Sequence, residues 1–167
     1  MSATSTPRQA RGTADASGAA DASGAAAARR GIDPRGPQFT AAVTAVVLIV
    51  TLLVPATAAT VLAGVQAVLF AIGATFGVQR TPHAALFKKL VRPRLSAPKE
   101  LEDPAPPRFA QAVGLVFTGV AFIAYVAGAT IVGQVAIGLA LVAALLNAVF
   151  RFCLGCEMYL LIQRIAH

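Results

Sequence analysis

The chain has no tryptophan, and only two histidines, two tyrosines and two cysteines among its 167 residues. Two cysteines cannot build the spaced disulfide framework of a small secreted domain, and His83, in a basic loop, has no partner histidine nearby for a metal site. Charge is also scarce, at 13% of residues, against about 25% in soluble domains. It is missing altogether from two long stretches: no Lys, Arg, Asp or Glu occurs from Phe39 to Gln79 or from Phe109 to Phe150. Nor is there a phosphate loop, a GxSxG or HExxH string, or a pair of carboxylates within either stretch, which leaves no familiar hydrolase or nucleotide-binding motif.

What fills the chain instead is hydrocarbon. Apolar residues make up 57% of it, above the roughly 45–50% of soluble proteins. The two charge-free blocks are about 41 and 42 residues long, each twice the roughly 20 residues that cross a bilayer once. Pro55 divides the first block, and Gly128-Ala129-Thr130 is the expected turn in the second. The expected fold is therefore an all-α integral membrane domain over residues 31–167. Its four transmembrane helices, 39–54, 56–79, 109–127 and 131–150, form two helical hairpins. The Ala-, Gly- and Ser-rich tail 1–30 has too little apolar surface to offset ordering entropy and is expected to be disordered.

The net charge of +7 falls outside the apolar blocks, which argues against nucleic acid as a partner and for a topology signal in a lipid bilayer. Loop 80–108 carries seven Lys and Arg (Arg80, Lys88, Lys89, Arg92, Arg94, Lys99, Arg108) against Glu100, Glu102 and Asp103. Arg8, Arg11, Arg29, Arg30 and Arg35 precede the first block, and Arg151 and Arg164 lie in the C-terminal segment 151–167. An even number of spans puts all of these on one side, so both termini are expected in the cytoplasm and the protein in the plasma (inner) membrane. Within the loop, 84–91 reads as a short amphipathic helix, with Leu86, Phe87, Leu90 and Val91 toward lipid and Lys88, Lys89 and Arg92 toward headgroups.

Pro37-x-Phe39-x-x-Ala42-Val43 recurs as Pro107-x-Phe109-x-x-Ala112-Val113, an offset of 70 residues. Each copy opens an apolar block, as expected for a parallel internal repeat about an axis normal to the membrane. Gly64, Gly73, Gly77, Gly114 and Gly119 would let helices approach closely, Gly73 and Gly77 as a GxxxG. Gln66, Gln111, Gln134 and Asn147 are expected to bond between helices, and Asp33, Arg35 and Arg108 to pair as a cap or anchor headgroups.

The one candidate reactive site is the string Phe152-Cys153-Leu154-Gly155-Cys156-Glu157. On a helix, residues i and i+3 share a face, so Cys153 and Cys156 form a candidate reversible dithiol, with Glu157 on the same side. Arg151 favours a thiolate and Glu157 opposes it; a helix beginning near Gly155 would favour it, and a helix end would oppose it. Asn147 lies one turn before Arg151 and could share an inner cavity with it. The alternatives are that both cysteines are buried small hydrophobes, or half of a zinc or iron–sulfur site completed by a second chain. No cofactor is called for.

Asp33-Pro34-Arg35-Gly36-Pro37-x-Phe39, Pro106-Pro107-Arg108-Phe109-Ala110 and Phe152-Cys153-x-Gly155-Cys156-Glu157-x-Tyr159 together resemble the actinobacterial-type membrane proteins grouped as domain of unknown function 4395, over about Gly31 to Ile165. The resemblance implies a thiol or sulfur theme, because such proteins are often encoded near thioredoxin-like proteins and sulfurtransferases. The expected function is thus thiol redox or sulfur handling by Cys153 and Cys156, with a thioredoxin-like or sulfurtransferase partner at the cytoplasmic face docked on the basic loop. The alternative is a non-enzymatic, oligomerising membrane subunit or small transporter component, with the cysteines packed or binding metal between chains.

Overall fold

The structure, a computed structural model, describes residues 31–166 apart from Ala97 and Lys99. The tail 1–30 lies outside the described residues. Among the described residues, six α-helices follow one another: α1 Arg35–Leu53, α2 Ala56–Phe76, α3 Pro82–Leu86, α4 Ala105–Val126, α5 Thr130–Phe150 and α6 Leu154–Ala166. Four of them, α1, α2, α4 and α5, are long and apolar enough to cross a membrane. The protein is a multi-pass, all-helical membrane protein.

Helices α1 and α4 begin at Arg35 and Ala105, one turn ahead of Phe39 and Phe109. The residues gained include Pro37, Pro106 and Pro107. Proline is tolerated there because the first-turn N–H groups have no acceptor within the helix. Pro55 ends α1 by holding Val54 extended (φ −93°, ψ 160°). Helix α2 stops at Phe76, because Gly77 takes a positive φ of 94° and a 3₁₀ turn, Val78–Arg80, follows. Gly77 is therefore a helix stop and not the second half of a packing GxxxG; a Cβ there would meet nothing within 4 Å.

The four spans form a ring in the order α1, α2, α4, α5, with the broadest contact between α2 and α4 and the next between α1 and α5. The half of the bundle near the Val54–Pro55 and Ala127–Ala129 links packs tightly around Leu48, Ala63, Ala121 and Ile137, none of which retains exposed surface. Close approach is set by small residues: a Cβ on Gly114 would stand 2.7 Å from the Phe70 ring. Outward-facing Leu53, Ile123, Ile131 and Val149 are exposed, as required of side chains that meet lipid.

At the opposite end, where all the described charges lie, the two halves make several analogous contacts. The carboxylate of Asp33 accepts the Arg35 N–H (3.0 Å), and that of Asp103 accepts the Ala105 N–H (2.8 Å). Gln38 and Arg108, each fourth in its helix, donate to carbonyls near the end of the adjoining span. Gln38 Nε2 reaches Ala148 O at 3.0 Å; the Arg108 guanidinium reaches Ala74 O and Thr75 O at 3.0–3.3 Å. Phe39 packs on Phe87 and Phe109 on Tyr159, with ring centroids 5.7 and 5.8 Å apart. Ile32 and Glu102, 70 residues apart in sequence, form an antiparallel bridge.

Three expectations change. Phe87, expected to face lipid, is buried against Phe39, three residues after the buried Ala84 and so on the same helix face; a π-helical turn (Phe87–Val91) follows. Among the described residues, Gln66, Gln111, Gln134 and Asn147 make no side-chain hydrogen bond; Gln66 Oε1 is buried and unpartnered, and Gln134 is exposed. Asp33 caps its own helix, while Arg35 donates to Ser96 O at 3.1 Å.

Candidate functional site

Helix α5 ends because Arg151 adopts a left-handed conformation (φ 57°), its N–H bonding Asn147 O at 3.1 Å. A non-glycine residue there is strained. At the matching place after α2 the chain uses Gly77. The turn frees Phe152 and Cys153 from the helix and lets α6 start afresh at Leu154. Cys153 is thus the residue that caps α6: its carbonyl accepts the Glu157 N–H (3.0 Å) and its Sγ accepts the Cys156 N–H (3.3 Å). The corresponding cap in the first half is Thr81, whose Oγ1 accepts the Ala84 N–H at 3.3 Å. Six residues beyond each cap comes the aromatic that packs on α1 or α4.

The two cysteines are disulfide-bonded, with Cα atoms 5.2 Å apart. Both are half-buried. Their position decides one part of the electrostatic balance: the string begins a helix and does not end one. Cys153 caps a 13-residue helix and Cys156 lies in its first turn, where unpaired N–H groups and the helix dipole favour a thiolate. Gly155 is the reason α6 lies where it does: a Cβ on it would stand 2.6 Å from Ala110 Cα, so only glycine lets α6 rest directly on the backbone of α4.

Cys153 and Cys156 open on a polar cleft of about 760 Å³ at the charged end. Of the residues proposed with them, Asn147, Arg151 and Glu157 also line this cleft. The loop contributes Glu100, Glu102 and Asp103 to the walls, with Arg35 opposite. The basic residues Arg80, Lys88, Lys89, Arg92 and Arg94 are not among the lining residues, so the surface beside the cysteines is more acidic than the loop composition suggests. The Ile32–Glu102 bridge, with both N–H···O distances at 2.9 Å, pins the loop there.

Cys153 and Asn147 also border a second, apolar cavity of about 320 Å³ that runs between the spans. Its walls include Thr40 and Thr44 of α1, whose hydroxyls are buried without a partner. Nothing in the sequence marks these two threonines, and only packing distinguishes them from the rest. Thr51, Thr60, Thr75 and Thr118 each bond the carbonyl four residues back, at 2.7–2.8 Å.

No group of three or more His, Cys, Asp or Glu capable of holding a metal is assembled among the described residues. A family model described as "Domain of unknown function (DUF4395)" matches residues 32–164. The chain belongs to the DUF4395 family. The match covers every element of this DUF4395 protein from the Ile32 bridge to α6, the cysteine pair included. No curated protein and no solved structure matches the chain.

Proposed function

We propose that this DUF4395 protein is a membrane-embedded thiol-redox or sulfur-handling protein that works through Cys153 and Cys156. The observation that carries the reading is the placing of the pair. Two cysteines one helical turn apart occupy the cap and first turn of α6, half-exposed on a polar cleft. Thiol–disulfide exchange needs an accessible sulfur, a stabilised thiolate and a second thiol within reach to resolve the mixed disulfide. The cleft, the helix N-terminus and Cys156 supply them.

Charge distribution supports a cytoplasmic orientation. All described Lys and Arg lie at the end of the bundle that carries the pair, and the positive-inside rule puts that end in the cytoplasm of a bacterial cell. The partner is then a soluble cytoplasmic thiol protein, thioredoxin-like or a sulfurtransferase. The acidic walls favour one with a basic rim around its own cysteine. Arg151 supports the reading from another direction: a left-handed arginine persists at a cost in backbone strain, and such outliers cluster at working sites.

Mechanism-based trapping tests this. With Cys156→Ser, Cys153 lacks its resolving thiol, so a partner attacked by it remains disulfide-linked and can be identified by mass spectrometry. Failure of both single variants to capture any cytoplasmic thiol protein in intact membranes would remove the proposal. Metal analysis of the same purified protein addresses the competing use: about one metal per two chains would replace redox exchange with shared ligation by four cysteines.

A further inference from the structure

The apolar cavity beside Cys153 has features that a packing defect does not need. It holds about 320 Å³, room for roughly ten waters, and no charged residue lines it. Its rim includes Leu139, Val142 and Met158, all exposed on the face that a bilayer would cover. Its inner wall carries Thr40 and Thr44, each 3% exposed, with hydroxyls that have no partner. The other buried helical threonines, Thr51 and Thr118, bond the carbonyl four residues back. A lipid tail filling the cavity would leave both hydroxyls unpaired, so the occupant that suits the walls is neutral, mostly apolar, and bears an oxygen acceptor.

We infer that this cavity binds a lipid-soluble quinone, with Thr40 and Thr44 donating to a ring carbonyl and the ring lying beside Cys153. The identification rests on the thiol-redox reading of the cysteine pair. A dithiol that becomes a disulfide gives up two electrons and two protons. A quinone that becomes a quinol takes up the same number. The two S–H bonds break, the Cys153–Cys156 bond forms, and the two protons finish on the quinone oxygens. Cys153 borders the polar cleft and the apolar cavity alike, so a sulfur reduced from the aqueous side by a partner dithiol can be reoxidised from the lipid side. Asn147 lines both spaces and is the polar side chain at their boundary.

The test uses the full chain in lipid nanodiscs and decylubiquinone, whose fully substituted ring resists thiol addition. Reduced protein under anaerobic conditions is expected to convert the quinone to quinol in a one-to-one ratio with disulfide formed. Thr40→Val/Thr44→Val, which keeps shape and removes only the hydroxyls, is expected to bind about tenfold more weakly. Thr40→Ser/Thr44→Ser is expected to restore binding. Reduction by dithiothreitol should be the same in all three, which separates loss of the site from loss of the fold. Absence of saturable quinone binding in protein whose cysteines still exchange with dithiothreitol would overturn this inference and leave the thiol reading standing. So would wild-type affinity in the valine variant. Cysteines inert to dithiols would overturn the thiol reading and the electron transfer with it. Saturable binding to Cys153→Ser/Cys156→Ser protein would still establish the cavity as a quinone site.

Discussion

Ile32 and Glu102 exchange backbone hydrogen bonds in both directions, each 2.9 Å long, across a separation of 70 residues. The same offset relates Asp33 to Asp103, Gln38 to Arg108 and Phe39 to Phe109. An antiparallel pair of residues at this offset is what a local two-fold relation between the halves would produce. The shared Pro-x-Phe-x-x-Ala-Val string has the same offset. The correspondence makes the first half an internal control for the second.

The caps give the first use of that control. Thr81 does for α3 what Cys153 does for α6. Measured against the reduced wild-type protein, Cys153→Thr is therefore expected to change folding stability by less than about 1 kcal/mol, whereas Cys153→Ala loses a cap, typically worth about 1 kcal/mol. Both should abolish thiol exchange. Thermal unfolding in detergent and a dithiol-exchange assay on the same samples check the two expectations separately.

Arg151 offers a comparison of the opposite kind. Its counterpart is Gly77, and both residues have positive φ. Arg151→Gly is expected to stabilise the protein by about 1 kcal/mol through relief of left-handed strain. The same change removes a cation from the cleft, so the thiolate fraction should fall at neutral pH. A more stable protein with a slower alkylation rate at Cys153, measured with Cys156→Ser present, is the expected pair of results.

Gly155→Ala places a Cβ against the backbone of α4, which cannot yield as a side chain would. A cost of about 1–3 kcal/mol is expected, in the range of overpacked cores. It should fall on α6 alone, since the four spans do not depend on that contact. Hydrogen exchange that speeds up in 154–166 while α2 and α4 stay protected would bear this out.

His83 lies outside the spans, and burial lowers its pKa below the usual 6.5. The folded state thus binds its proton less readily than the unfolded state. Stability from this group is whole above about pH 6.5 and declines as pH falls below it, toward the lowered folded value. His83→Gln should flatten that slope in thermal unfolding scans between about pH 5 and 8.

Much of the architecture was legible because lipid demands uncharged length: two blocks free of charge, divided at Pro55 and near Gly128, mark four spans. Helix starts were less legible. Pro37, Pro106 and Pro107 read as breakers, yet a first turn accepts them. The burial of Phe87 against Phe39 is a tertiary contact that hydrophobic periodicity does not encode. The cysteine string announced itself by spacing, but its place at a helix start depends on Arg151 turning left-handed, which residue type argues against. Thr40 and Thr44 were invisible as site residues, since a hydroxyl's lack of partners is a property of packing.

The tight hydrocarbon seam around Leu48, Ala63, Ala121 and Ile137 has a further consequence. It closes the half of the bundle remote from the cysteines, and the two links there are uncharged. The cleft and the cavity both border Cys153, so this packing leaves the cysteine pair reachable from the charged end of the bundle.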